Sequence, residues 1–154
     1  MSARTTDFEA VRKDGIMIST PMIAAEIIYK GTPVFAKAAG DAFSNDGVTN
    51  TLANGDVFIG ISVEGVDNST GAAQAKEVRT YLEGCFLLPF SDTLTKANQG
   101  DNVYVNNASD DAVVTITSDT GQPQVTIGKI AQFVSANLAY VKITNPLVLA
   151  AAGA

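Results

Sequence analysis

The sequence contains no histidine, no tryptophan and a single cysteine, Cys85, among its 154 residues. Without histidine, the chain cannot form a Ser-His-Asp or Cys-His catalytic group, and it offers no imidazole to a metal ion. One cysteine excludes an internal disulfide and a cysteine-rich zinc site. Cys85 lies in an apolar run with no cation nearby in the sequence, so we expect a buried small side chain and not a nucleophile.

Long hydrophobic runs and an excess of basic residues are also missing. No apolar run approaches the roughly 20 residues of a membrane-spanning helix, and no secretory signal is visible. Ten basic residues against 16 acidic ones give a formal net charge of −6, whereas a nucleic-acid binder needs a basic surface to neutralise phosphates. We therefore expect neither a membrane nor a nucleic acid as a partner.

The residues that are present divide the chain into an N-terminal arm (1–20), a β-domain (21–144) and a C-terminal tail (145–154). The arm has little periodic apolar pattern, so we expect contact with a partner to order it. Short strand patterns separated by Gly, Asn and Asp turns fill the β-domain. These features predict an all-β fold: a compact β-barrel or β-sandwich of short, mostly antiparallel strands with an extended N-terminal arm and a short C-terminal tail.

The clearest strand is predicted over 57–64. Val57, Ile59, Ile61 and Val63 recur with period two and are expected to share one face. Gly60 inside this strand indicates a bend or the close approach of another backbone. Further strands are predicted over 22–30, 32–36, 76–82, 85–90, 102–105, 113–117, 124–134 (as two strands or one long bent strand) and 138–143.

One helical turn is expected within 91–100, with Ser91 or Asp92 as its N-cap.

The carboxylates suggest no active site. Asp110 and Asp111 are adjacent in a turn, so we expect both to be solvated. Asp41, Asn45 and Asp46 lie in one loop and offer oxygens of the kind that Ca²⁺ prefers, but the EF-hand spacing and its terminal glutamate are missing. We therefore predict no metal site.

The other common catalytic patterns are missing too. The sequence has no phosphate-binding glycine loop, no nucleophile elbow and no Ser-x-x-Lys pair. The glycosylation sequons at Asn68 and Asn107 are expected to be ordinary polar turns. We predict that the chain is not an enzyme and uses no cofactor and no small-molecule substrate. Two buried carboxylates in a pocket, about 5–10 Å apart, would instead indicate a glycosidase.

Six blocks of sequence follow one another in a particular order, each a strand pattern beside a glycine turn. They are Lys30–Val34, Gly55–Val63, Glu83–Pro89, Gln99–Val105, Ile127–Ile130 and Tyr140–Ile143. In order and spacing they resemble the small capsid decoration, or cement, proteins of tailed phages. The resemblance implies a homotrimer on the outer surface of the expanded icosahedral head that clamps neighbouring major capsid subunits against internal DNA pressure. It implies no catalysis.

The arm and the tail are the predicted capsid contacts. Many weak contacts on a multivalent lattice add up to firm binding. The arm side chains expected to reach across subunit boundaries are Arg4, Phe8, Arg12, Lys13, Ile16 and Ile18. The tail side chains expected to pack on the capsid or on a neighbouring protomer are Leu147, Val148 and Leu149.

Two other classes of non-enzymatic protein stay open. One is a different virion structural module, such as a head-fibre base or a tail component. The other is a carbohydrate-binding β-sandwich, which should expose aromatic side chains on a strand face or loop. This sequence has no tryptophan and few loop aromatics beyond Phe43.

Overall fold

A computed structural model describes residues 7, 17–37, 40–46, 50–106, 113–143 and 150–152. Nearly all of its regular structure is extended. The strands are β1 (Met17–Pro21), β2 (Glu26–Ile28), β3 (Pro33–Ala36), β4 (Ala42–Phe43), β5 (Val57–Ser62), β6 (Val66–Asn68), β7 (Glu77–Tyr81), β8 (Gly84–Pro89), β9 (Asn102–Asn106), β10 (Pro123–Ser135), β11 (Leu138–Ile143) and β12 (Ala151–Ala152). A 3-10 turn spans Lys96–Asn98. Across these ranges, no helix has the length and apolar character needed to cross a membrane.

The strands form two large antiparallel sheets and a two-stranded ribbon. The first sheet has the order β1-β7-β5-β3-β4, and β2 pairs with β6 in the ribbon. The second sheet has the order β12-β10-β11-β8, with β9 on β10. The prediction of an all-β fold is confirmed, and the open strand orders fit a β-sandwich and not a closed barrel. The first sheet and the ribbon use residues 17–81, whereas the second sheet uses 84–152.

The main core lies between the two large sheets and is aromatic at its centre. Phe35, Phe43 and Phe58 of the first sheet are fully buried, as is Phe86 of the second. The ring centroid of Phe35 lies 5.9 Å from that of Phe43 and 5.7 Å from that of Phe58. Burial of each such side chain contributes about 1.5–3 kcal/mol. These rings belong to one buried cluster that includes apolar side chains of both large sheets.

A second, smaller core lies between the first sheet and the ribbon. Ile28 of β2 packs here against Val34, Ile59 and Val78 of the first sheet. Successive side chains of a strand point to opposite faces, so the first sheet is covered on both sides. This explains why all four residues of β3 are buried.

A bulge in β5 changes which of its side chains share a face. Two successive residues of β3 pair with Gly60 and Phe58, which leaves Ile59 as an extra residue. Phe58 and Ile61 therefore point into the main core, and Ile59 points into the second one. The prediction that the odd-numbered residues of this strand share one face is wrong, because it assumed unbroken alternation.

Gly60 confirms the expected close approach of another backbone. Its φ is 116°, and a Cβ there would lie well inside contact distance of the carbonyl oxygen of Tyr81 on β7. A side chain at this position would push β5 and β7 apart.

The strand predicted over 22–30 is broken in two places. Met22 forms only an isolated bridge to Ala42, and Ala25 has a φ of 57° that ends the extended conformation. Only Glu26–Ile28 remains as strand, while an additional strand, β1, ends at Pro21 and pairs with β7. The periodic pattern contained no signal for the turn at Ala25.

The second half of the chain follows the predictions more closely. β10 is one long strand with register shifts, which confirms the long bent strand as the correct alternative. The segment predicted as a strand over 113–117 forms only isolated bridges, at Val114 and Thr115. The helical turn is present, but its N-cap is Thr95. Asp92 instead accepts hydrogen bonds from the Ile116 N–H at 2.9 Å and the Thr117 hydroxyl at 3.0 Å.

We expect Gly60→Ala to lower the free energy of unfolding by about 2 kcal/mol or more, because it adds both backbone strain and a clash with Tyr81. Urea denaturation would measure this. Gly100→Ala is a matched control, because Gly100 also has a positive φ, 90°, but a Cβ there meets nothing within 4 Å. Equal losses in the two variants would contradict the close approach.

Candidate functional site: the outer face of the second sheet

The side of the second sheet that points away from the main core is the candidate partner-binding surface. We define the outer face as the outward side chains of β8, β9, β10 and β11. Along β11, Ala139, Val141 and Ile143 are buried, while Leu138 and Tyr140 are half-buried and Lys142 is exposed. The four strands contain two lysines, Lys129 and Lys142, and no aspartate or glutamate.

The two lysines lie directly opposite each other on adjacent strands. Lys129 of β10 pairs with Lys142 of β11, and both are exposed. In the row that they form, Asn102 lies beyond Lys129 and Cys85 lies beyond Lys142. Directly opposed like charges on a sheet repel each other and destabilise it. Within the described ranges, neither ammonium group forms an ion pair, and Lys129 makes only a long contact, 3.5 Å, to the Gly100 carbonyl.

Apolar side chains form the neighbouring rows of the outer face. Leu87 lies opposite Tyr140, and Pro89 lies opposite Leu138. All four are half-buried, so each presents part of its apolar surface to solvent. The outer face therefore combines two cations with a partly exposed apolar strip.

A buried carboxylate, Glu26, lies on the other side of the molecule and has a structural role. It is 4% exposed. One oxygen accepts hydrogen bonds from the Ser44 N–H at 3.0 Å and the Ser44 hydroxyl at 2.9 Å, and the other accepts from the Asn50 amide. Burial raises the pKa of Glu26 to about 7, which the hydrogen bonds from Ser44 oppose and the negative charge of Asp46 reinforces. These contacts connect Ser44 and Asn50 to β2.

A second buried carboxylate, Asp56, has hydrogen-bond donors at one of its oxygens. It accepts hydrogen bonds from the Lys37 ammonium at 3.1 Å and the Ala53 N–H at 2.8 Å. The Lys37 ammonium also lies 3.9 Å from the centroid of the Phe43 ring. Glu26 and Asp56 thus each have their own set of donors, which gives both carboxylates structural roles.

The loop oxygens considered for Ca²⁺ are used in hydrogen bonds to nitrogen donors. Asp41 accepts from the Gln74 amide at 3.1 Å, and Asp46 accepts from the Asn50 N–H at 3.0 Å. The Asn45 oxygen accepts from the Leu52 N–H at 2.7 Å. The ranges that the structure describes contain no group of three or more Cys, Asp or Glu side chains that could hold a metal ion.

Two other expectations concern single residues. Cys85 is half-buried on the outer face, so the prediction of a buried side chain is wrong: β8 alternates and does not point all of its apolar residues inward.

Asn68 of the first sequon is 1% exposed and donates to the Ile23 and Ala72 carbonyls. Asp110 and Asp111 lie outside the described residues, as does Asn107.

Most of the predicted arm contacts lie outside the described residues: Arg4, Phe8, Arg12, Lys13 and Ile16. Ile18 lies in β1 opposite Thr80 and is half-buried. Asp7, the described residue that precedes β1, accepts a hydrogen bond from the Lys30 N–H at 3.1 Å.

The predicted tail contacts Leu147, Val148 and Leu149 also lie outside the described residues. After them, Ala150 is buried, at 3% exposed. Its N–H donates to the Asp56 carbonyl at 2.6 Å, and its carbonyl accepts from the Gly55 N–H at 2.9 Å. Here the tail packs on its own domain.

Sequence reasoning did not single out the outer face. The alternation in 138–143 identifies Lys142 as outward. A regular hairpin around the turn at 136–137 would place Ala131, and not Lys129, opposite Lys142. Two register shifts in β10, near Ala131 and Val134, bring Lys129 there instead. No pattern in the sequence marks these shifts.

No family model matches the chain, and no curated protein matches it. Among solved structures, the chain is similar to the head fiber gp8.5 N base in bacteriophage phi29. The sequences are 17% identical, the match covers 86% of this chain and 98% of that one, and the TM-score is 0.48.

The raised pKa of Glu26 predicts a pH-dependent stability. Because the pKa is about 7 in the folded state against 4.5 ordinarily, the folded protein binds more protons than the unfolded chain between these values. Protonation of Glu26 therefore contributes to stability in full below pH 4.5, and this contribution is lost as the pH rises through 7. The free energy of unfolding should fall by about 3 kcal/mol over this range. Urea denaturation at several pH values should show this decline, and Glu26→Gln should flatten it. Parallel curves for the two proteins would contradict the assignment.

The opposed lysines predict a stabilising charge reversal. Lys142→Glu replaces a repulsive pair by an attractive one, so we expect the free energy of unfolding to rise by about 0.2–1 kcal/mol at low salt. Lys96→Glu is a matched control, because Lys96 is exposed on the 3-10 turn and has no cross-strand partner. The prediction fails if the two variants unfold at the same urea concentration.

Proposed function

We propose that this chain is a virion structural protein of a tailed phage and, within that class, a decoration protein on the outer surface of the expanded head. The observation that supports this most is where the six resembling blocks fall. They include residues of β3, β5, β8, β9, β10 and β11, the strands that pack the two large sheets against each other. The resemblance therefore covers the structural core and is not confined to turns.

The proposed mechanism is a clamp that works without chemistry. The sandwich binds as a homotrimer across neighbouring major capsid subunits and holds them together against the pressure of the packaged DNA. The proposal assigns no catalysis to the chain. In support, both Glu26 and Asp56 are occupied by nitrogen and hydroxyl donors, as expected of buried carboxylates that hold loops in place.

Within this proposal, the arm and the tail extend the contact made by the β-domain. The basic side chains Arg4, Arg12 and Lys13 would reach neighbouring subunits, and Leu147–Leu149 would add an apolar contact. Small gains for each contact are multiplied over the copies on the shell.

Co-sedimentation with expanded capsids that lack the protein tests the proposal, with cryo-EM of the pelleted particles. We expect saturable binding, density over three-fold positions, and capsids that withstand heating better when the protein is bound. The density would also show whether the arm and tail lie on neighbouring subunits. Unexpanded capsids are the control and should bind less.

Other results would point to the alternative classes. Density at a portal, a tail or the foot of a fibre would indicate a different virion structural module. Binding in a glycan screen without binding to any capsid state would indicate a carbohydrate-binding sandwich, and the decoration role would be wrong.

A further inference from the structure

The geometry of the outer face points to a docking surface for a protein that presents carboxylates beside apolar side chains. This inference rests on the proposed function, in which the partner is the shell of the phage head. It assigns the contact to the β-domain itself, through Lys129, Lys142 and the apolar strip beside them.

Charge is unevenly distributed over the protein. The chain has 16 acidic residues against 10 basic ones, yet β8, β9, β10 and β11 contain no carboxylate at all. The carboxylates nearest in sequence, Glu83 and Asp101, each lie one residue before a strand begins. Asp101 already accepts a hydrogen bond from the Asn98 amide at 2.9 Å. The outer face is therefore a positive area on an acidic protein, and charge complementarity selects an acidic partner.

The lysine pair has no counter-ion within the described residues. Lys129 and Lys142 face each other across adjacent strands, an arrangement that costs stability in the isolated protein. A carboxylate placed between the two ammonium groups would turn that repulsion into attraction. By contrast, Arg79 elsewhere on the surface is already paired with Glu64, at 2.9 Å.

An apolar strip lies next to the lysines. Leu87, Pro89, Leu138 and Tyr140 occupy the rows beside the charged one, and each keeps part of its surface in solvent. Interfaces combine such an apolar centre with polar groups around it. Four hydrogen-bonded strands hold these side chains in place, so little conformational entropy is lost on binding.

The same charges argue against a nucleic acid as the occupant. Phosphate backbones are bound by several cations at once, and the outer face supplies two lysines on a chain of net charge −6. Carboxylates spaced on a protein surface match two cations better.

The test is a charge reversal measured on capsids that lack the protein. We expect Lys129→Glu/Lys142→Glu to lower the affinity for expanded capsids by about tenfold or more, with a weaker salt dependence than the wild type. Lys76→Glu/Lys96→Glu is the matched control: it makes the same change of net charge at two exposed lysines that lie outside β8, β9, β10 and β11. The control should bind within about threefold of the wild type. Lys129→Arg/Lys142→Arg keeps the charges and should retain binding.

Folding and self-association are monitored in the same variants. The double glutamate variant exchanges one like-charge pair for another, so its melting temperature should stay close to that of the wild type. Light scattering should give the same oligomeric state for all variants. A change of oligomeric state in the glutamate variant would identify a second copy of the chain as the occupant and would overturn the inference.

The two levels of the proposal fail in different ways. If the wild-type protein binds no capsid state, the proposed function is wrong. If the wild type binds, and the face variant binds as tightly as the control variant, the decoration role stands and the docking surface is wrong. Binding of the wild type to DNA at physiological salt, lost in the face variant, would also overturn it.

Discussion

Close contact between backbones is the constraint on which both large sheets depend. In the first sheet, Gly60 lies so near the carbonyl of Tyr81 that a Cβ could not be placed there, and in the second, Gly128 stands in the same relation to Lys142. Each glycine lies at a register shift, where the strand bends and twists more strongly. At the first of these shifts, Phe58 takes its place opposite Phe35, and both side chains lie in the main core.

The second sheet serves two surfaces with one set of strands. Its inward side chains close the core, and its outward ones carry the only two charges of β8 to β11. Gly128 relates the two surfaces to each other. It pairs with Ile143, a residue of the core, and the next residue along β10, Lys129, pairs with Lys142 on the outer face. Packing in the interior therefore decides which cations meet on the exterior. A slip of one residue in either strand would turn the lysine of that strand toward the core.

The sequence alone predicts those parts of the fold that depend on local alternation and turns. It identified β5, β9 and β11, the close approach at Gly60 and the division into strands without helices. It could not predict the positive φ of Ala25, which splits one expected strand, or the shifts along β10 that pair Lys129 with Lys142. The candidate surface was missed for this reason: a register depends on contacts between distant residues, and a bulge carries no fixed sequence signal. The buried position of Glu26 likewise depends on Ser44 and Asn50, which are far away in the chain.

The split of the chain at residue 83 affects how the protein emerges from the ribosome. The first sheet and the ribbon are complete by Tyr81, but the aromatic side of that sheet is covered only by strands that begin at Gly84. At synthesis rates of about 5–20 residues per second, the covering strands follow over roughly 4–14 seconds. During that interval Phe35, Phe43 and Phe58 have no permanent cover. The nascent first half thus passes through a stage with an exposed apolar sheet, the kind of surface that chaperones bind and that aggregates when two chains meet.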